Sequence, residues 1–527
     1  MMKTIFTSLF LFVIISSIAQ NVTITPSGIT PASGGVQKMT YEQILAISDP
    51  EIGDIVIDIS NKTLRMWNGT EWSYFLSALS QNNVILTGSS IAGDSIEYIT
   101  SIDFDSNNNR YIAGVYTGSI IFGTDTLYHS GGTFTTFLLK QDSEGVIQWF
   151  KISTGSGGLI PWKMRIDSND NIFIAGDLEG EVNLWDAGGT LTSDGANEDI
   201  TVIKLNNNGI PLWNKVFGGS QVDNLVAIDL DGVEDLVITG KFRDKADFDG
   251  NSLTSLGNTD TFIAKLSSST GGVSFLKQLG NAYNVDVYDL KVNSAGHYII
   301  AGEYGDVLNA GSFTLPAPSL YNSNFFLLKL NPVLNSYLEG EGFGNSDGNS
   351  GFLLIDDDDN IYFSGVTEDS LNTGNFSTRI PTSSNTKTEP EIAFILKLSN
   401  DFEYEDIFYY EGAFLSSIRM AMNNEGNIMT GFLTSSFIRL GNSSYFSNKS
   451  AKSILGEIDP HQGILLWSDE IIGQSNTLDL KIDTDGNAWA AGINGGDLRF
   501  GNTHLIAPQN YFEDPGQIDA FIIKVVK

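Results

Sequence analysis

Cysteine is absent from the 527 residues of this chain. Thiol catalysis, disulfide staples, thiolate metal sites and an acylated lipoprotein cysteine are thereby excluded. Histidine is nearly as scarce: His129, His297, His461 and His504 lie far apart, and none accompanies a G-x-S-x-G elbow. A structural or exposed role is expected for each. Basic side chains number 29 against 63 acidic ones, a formal charge of -34. Such a surface repels phosphate backbones and anionic lipid, so no nucleic-acid partner is expected. Beyond the first twenty residues no apolar run approaches the ~18 residues of a membrane span, so no transmembrane segment is expected either. No stretch of helical period stands out in the remainder.

The one apolar run is at the start. Lys3 supplies a positive n-region, "TIFTSLFLFVII" the apolar core, and Ser17-Ile18-Ala19 a small-residue cleavage pattern. Residues 1–19 are therefore expected to be a secretory signal peptide cut after Ala19, leaving a secreted or cell-surface protein.

What the chain has in quantity is repetition. "IDSNDNIFIAG" (166–176) returns as "IDTDGNAWAAG" (482–492). The closing glycine recurs at Gly114, Gly176, Gly240, Gly302, Gly365, Gly431 and Gly492, roughly 61–66 residues apart. The polar residue opening the turn recurs as Asp105, Asp167, Asp231, Asn293, Asp356, Asn423 and Asp483. A third anchor is a lysine in "FLLK"-type runs: Lys140, Lys204, Lys265, Lys329, Lys397 and Lys524, with Glu457 in the sixth repeat. Three anchors in one phase define a true repeat.

Each unit reads as four short strands. An apolar-polar run enters the Asp/Asn/Gly turn and a second run leaves it. After a loop of roughly twenty residues comes the lysine strand, then a turn at Gly145, Gly209 or Gly463, and a strand around Trp149, Trp213 or Trp467. Such units cannot bury both faces alone, and stacking them radially gives an all-β, seven-bladed β-propeller of four-stranded antiparallel blades. The seventh repeat stops at its third strand, "DAFIIKVVK", while an orphan strand, "NVILTGSS", precedes the first. An N-terminal strand is therefore expected to complete the last blade and close the ring. The expected domains are residues 1–19, the signal; 20–82, a linker and small β-rich module turning at Trp67–Gly69; and 83–527, the propeller.

The wording of "PLWNKVFGGS" (211–220), of the two turn phrases and of "DTFIAKL" (260–266) resembles the bacterial SBBP-type β-propeller repeat. The resemblance spans 83–527 and weakens in the fifth repeat, which lacks the tryptophan, and in the sixth. It implies a secreted or surface bacterial protein and no catalytic residue. Residues 20–82 resemble a small module found ahead of bacterial surface domains.

The turns "DSNNN", "DSNDN", "DDDDN" and "DTDGN" fit D-x-[DN]-x-[DN], a spacing that suits Ca²⁺. Arg110, Ile172, Ile361 and Ala488 stand where an EF-hand has glycine, and no glutamate closes the loop. Asx capping of the turns is the plainer expectation. Calcium stays open, with Asp356–Asp359 the richest candidate, and no other cofactor is expected. The repeated lysine is expected near a strand end, paired with an acidic residue. Phe137, Phe262, Phe326, Phe394 and Phe521 share one position and should be core. Tyr321, Tyr409, Tyr410, Tyr445 and Tyr511 fall out of phase and are candidates for a binding surface.

Polar positions that repeat evenly in every unit argue for turns rather than for a catalytic cluster. The expectation is thus a monomeric, non-enzymatic scaffold for an extracellular protein or glycan; the alternatives are a polysaccharide-active propeller enzyme or a structural spacer. Any partner should meet the face of the variable second-to-third-strand segments, above all Leu371–Glu391 and His504–Gln517.

Overall fold

The inner strand of each repeat alternates side chains that pack between sheets with side chains that face the axis, because a strand turns successive residues to opposite faces. In the computed structural model these strands are Glu97–Phe104, Gly158–Ile166, Asn224–Leu230, Val285–Val292, Phe352–Ile355, Leu415–Met422 and Ser475–Ile482. They lie side by side in that order, and the last packs back against the first. Each pairs with the strand leaving its turn, then with the lysine strand, then with an outer strand, all antiparallel. The chain is an all-β propeller. The structure describes parts of 22–74 and most of 85–526; residues 1–21, 75–84, 379–390, 506–518 and short stretches elsewhere lie outside the description.

The outermost strand of the last repeat comes from the other end of the unit. Ile85–Ile91 pairs antiparallel with Asp519–Val526, from Ile91 opposite Ala520 to Ile85 opposite Val526. Among the described residues eight sheets have four strands or more, one beyond the expected seven. The additional sheet is Gln37–Met39, Ile55–Asp58, Thr63–Trp67 and Trp72–Tyr74, and its first pair is parallel. It falls within the small β-rich module expected of residues 20–82. Ile44 and Val56 are buried there against Met39, Ile47 and Trp67. Residues 1–83 with 442–444 form one compact unit, and 84–441 with 445–527 the other. The signal-like segment, Asn68 and Gly69, and the 379–390 and 506–518 portions of the two insertions are outside the described residues, as are Gly463, Tyr321 and Tyr511.

The segments between second and third strands are more regular than the loops expected of them. They hold short antiparallel hairpins, such as Ser119–Phe122 with Asp125–Tyr128 and Lys245–Phe248 with Asn251–Thr254. Leu308–Ala310 with Phe313–Leu315, Leu371–Thr373 with Phe376–Thr378, and Leu498–Phe500 with Thr503–Leu505 repeat the pattern. The sequence signal is a fourth anchor, in "FGTDTL", "FDGNSL", "NAGSFTL" and "RFGNTHL". Turn residues between two short alternating runs are a hairpin pattern.

The core lies between sheets. The five in-phase phenylalanines, Phe137, Phe262, Phe326, Phe394 and Phe521, are fully buried. They also account for the recurrent glycine. A Cβ at Gly114 would come 2.0 Å from the Tyr98 carbonyl and 2.7 Å from the Phe137 ring. At Gly240 the corresponding distances are 2.1 Å to the Asn224 carbonyl and 2.7 Å to Phe262. The glycine is required by close approach and not by a left-handed backbone.

That approach coincides with a β-bulge in the inner strand. Register shifts occur between Ile99 and Ser101, Leu225 and Ala227, Val287 and Asp289, and Thr477 and Asp479. Wider shifts span Ile160–Lys163 and Ser416–Arg419. A bulge inserts an extra residue and re-aims its side chain. Here the displaced residues include Thr100, Trp162, Val226, Tyr288 and Leu478, all of which line one cavity on the axis.

Candidate ligand site on the propeller axis

The repeated polar anchors build the rim opposite that cavity. Asp105 Oδ1 accepts the N–H groups of Asn107 (3.0 Å) and Asn109 (2.9 Å). Asp167 and Asp483 hold their turns in the same way. The repeated lysine then meets the turn carboxylate: Lys140 to Asp105 at 3.1 Å, Lys204 to Asp167 at 3.2 Å, Lys524 to Asp483 at 3.7 Å, and Lys265 to Asp231. Where the turn residue is Asn293, Lys329 instead meets the Asn400 carbonyl at 2.7 Å. In the sixth repeat both partners change. Glu457 accepts from Asn423 at 2.9 Å, Asn427 at 2.8 Å and Trp467 at 2.6 Å. Of the histidines, His129 bonds Thr135 Oγ1 at 2.8 Å, and burial holds the His297 imidazole below its ordinary value.

Along the axis the positions diverge from blade to blade. Two residues before the turn stand Asp103, Arg165, Asp229, Lys291, Leu354, Ala421 and Lys481. Four residues before it stand Ser101, Lys163, Ala227, Asp289, Phe352, Arg419 and Asp479. Two residues of strand rise about 6.6 Å, so these are stacked rings. Five cations (Lys163, Arg165, Lys291, Arg419, Lys481) face four carboxylates (Asp103, Asp229, Asp289, Asp479), a cationic excess inside a protein of formal charge -34. Sequence reasoning missed this cluster because it weighed only positions common to all repeats; the charged residues within otherwise apolar inner strands were the available signal.

The carboxylates join neighbouring inner strands, whose facing edges would otherwise leave N–H groups unpaired. Asp103 Oδ2 accepts from Ile166 N at 3.1 Å, Asp229 Oδ2 from Val292 N at 2.9 Å, Asp289 Oδ2 from Leu353 N at 2.9 Å and Asp479 Oδ2 from Ile102 N at 3.0 Å. Arg165 pairs with Asp229 at 3.1 Å, and Lys291 with Asp289 at 3.1 Å. Burial raises the Asp103 carboxyl despite Lys481 and Arg165. Burial acts equally to raise Asp289 and Asp479, but their lysine neighbours and N–H donors carry both below the ordinary carboxylate value.

Above the rings is a cavity of about 410 Å³. It lies where inner strands begin and second strands end, the face from which the second-to-third-strand segments leave. Its walls include Trp162, Tyr288, Phe352, Lys163, Arg419, Asp177 and Lys241. Asp177, one residue after Gly176, accepts Trp162 Nε1–H at 2.7 Å and Leu225 N–H at 2.8 Å. Burial pushes its carboxyl up to about 7. Burial and the neighbouring Arg419 push Lys163 down to about 7. Lys241 pairs with Asp286 at 3.1 Å on the wall.

No family model matches the chain, and no curated protein matches it. Solved structures similar to it include the quinohemoprotein alcohol dehydrogenase of Comamonas testosteroni, at 8% identity and TM-score 0.39 over 83% of this chain and 76% of that one. A europium-containing methanol dehydrogenase follows at 10% and 0.35 over 85% and 94%. A fungal alcohol oxidase of the AA5 family, in complex with copper, stands at 10% and 0.39 over 83% and 75%. The likeness is one of fold and assigns no reaction. The expectation of a non-enzymatic chain is nevertheless corrected: propellers similar to this one include dehydrogenases and an oxidase. Its premise also fails, because the axial charges are specific to individual blades and not evenly repeated. Among the described residues no helix is long and apolar enough to cross a membrane, and no group of three or more His, Cys, Asp or Glu is placed to hold a metal ion.

Proposed function

We propose that the chain is an exported propeller of the SBBP type, with seven blades formed by its seven repeats, that binds an extracellular glycan through the axial cavity. The observation carrying this reading is the combination of Trp162, Tyr288 and Phe352 with Lys163, Arg419 and Asp177 around one space of about 410 Å³. Ligand pockets commonly pair aromatic walls with a few placed polar groups at about this size. The signal-like first 19 residues and the acidic surface support a place outside the cell. Binding of the full chain to a polysaccharide panel, compared with Trp162→Ala, tests it. Loss of at least tenfold in affinity with an unchanged melting curve is expected; equal binding by the variant refutes the pocket.

A second reading has its own observation. A carboxyl held at about 7 in a cavity wall can donate a proton at neutral pH. Asp177 would then be the acid in cleavage of the bound glycan. Release of reducing ends by the wild type, abolished in Asp177→Asn, supports this; no release from any bound polysaccharide refutes it.

A further inference from the structure

Lys163 and Arg419 both approach the Phe352 ring, the lysine Nζ 5.9 Å and the guanidinium carbon 3.9 Å from its centroid. They reach the cavity from the second and sixth inner strands, on opposite parts of the ring of blades. Among the described residues neither is within ion-pair distance of a carboxylate, and Arg419 Nε is buried without a hydrogen-bond partner. The nearest acids are engaged elsewhere. Asp289 holds Lys291 and the N–H groups of Leu290 and Leu353. Asp479 holds the Ser101 hydroxyl at 2.8 Å and the N–H groups of Ile102 and Leu480.

Two cations brought together in a cavity repel one another and lose hydration, a cost that stands unless an anion joins them. Unlike the axial carboxylates, they stitch no strands together. A guanidinium fork presents two parallel donors, the geometry of a carboxylate, and an ammonium adds a point charge. Trp162 offers an indole whose N–H is already committed to Asp177, so its ring is held in the wall.

We propose that Lys163 and Arg419 form the anion receptor of the axial cavity, taking the carboxylate of an acidic sugar residue whose ring lies against Trp162. The proposal deepens the glycan reading and rests on it. It predicts selectivity by charge as well as by shape.

The test uses the full chain and titration calorimetry with D-galacturonate and D-glucuronate oligosaccharides, their neutral hexose counterparts and inorganic sulfate. Acidic oligosaccharides are expected to bind at least tenfold more tightly than neutral ones. Lys163→Met and Arg419→Gln should each erase that preference, weakening acidic binding at least tenfold more than neutral binding, and Trp162→Ala should weaken both alike. Arg419→Lys, which keeps the charge, serves if Arg419→Gln melts early. Equal affinity for acidic and neutral probes, or a preference that survives in Lys163→Met, overturns the receptor and leaves the glycan reading in place. Trp162→Ala without effect, or no binding of any saccharide, overturns both. Sulfate binding as tightly as a uronate oligosaccharide overturns the assignment of a sugar ring.

Discussion

At the turn end of the inner strands, the first, second and seventh repeats carry one arrangement: an aspartate caps its own turn and meets the lysine of the third strand. Five residues upstream the same repeats carry Thr100, Trp162 and Leu478, and all three line the cavity. The two ends belong to one strand in one fold. Uniformity at the first end follows from backbone need, since each hairpin must satisfy the same N–H groups. Divergence at the second end follows from the axis, where residues from separate blades meet and only their combination is constrained. The recurrent glycine links the two ends, because it admits the bulge that turns Trp162 and Tyr288 inward. A repeat protein thus makes an asymmetric site from symmetric parts.

The sharpest break of that comparison is at the glycine. Gly240→Ala places a Cβ 2.1 Å from a backbone carbonyl, whereas the Cβ of Gly232→Ala, in the turn of the same repeat, meets none of the described residues within 4 Å. The first should cost about 3 kcal/mol or more, as overpacking against backbone does, and the second less than about 1 kcal/mol. Denaturant midpoints of the two variants measure this. Equal losses would mean that the glycine serves something other than the bulge.

A smaller effect is expected at the turn. Lys204→Glu sets two carboxylates face to face with Asp167 and should cost about 3 kcal/mol, the range for breaking a buried pair. Adding Asp167→Asn recreates the wiring of the sixth repeat, where Asn423 donates to Glu457. The double variant should recover at least half of the loss. A melting series that shows additive losses would separate the sixth repeat from its neighbours.

Much of this architecture was legible in the sequence, and for a stated reason. Asp167, Gly176 and Lys204 each answer a local requirement that recurs in every blade, so periodicity exposes them. The closing strand at Ile85–Ile91 was legible because an unpaired edge must be covered. Lys163, Arg419 and Asp177 were hidden for the converse reason. Their meaning lies in residues one to four blades away in sequence, and no period marks them. The hairpins after the second strands were legible in principle, but variable length masked a constant turn core. Tyr409, Tyr410 and Tyr445, singled out for breaking the period, have side chains outside the described residues, while Tyr288, in a charged and bulged inner strand, lines the cavity.

The mildest prediction concerns protons at the divergent end. Lys163 is held at about 7 because burial disfavours its charge and Arg419 repels it, with Asp289 and Asp479 pulling the other way and Lys291 adding repulsion. Asp177, on the neighbouring second strand, titrates over the same range. A bound carboxylate favours the charged lysine and raises its value, so binding takes up a proton. Affinity for a uronate oligosaccharide should be flat below pH 6 and fall above pH 7, by at most about tenfold per unit. The charge gained by Asp177 adds to that fall. The empty protein should behave oppositely: the lysine value is lowered from 10.5, so the unfolded chain binds the extra proton between about 7 and 10.5, and this group's contribution to stability rises with pH there. Lys163→Arg stays charged throughout and should flatten both profiles, leaving only the Asp177 component, which Asp177→Asn removes. Uronate affinity that holds constant or climbs from pH 6 to 8.5 would take Lys163 out of the site.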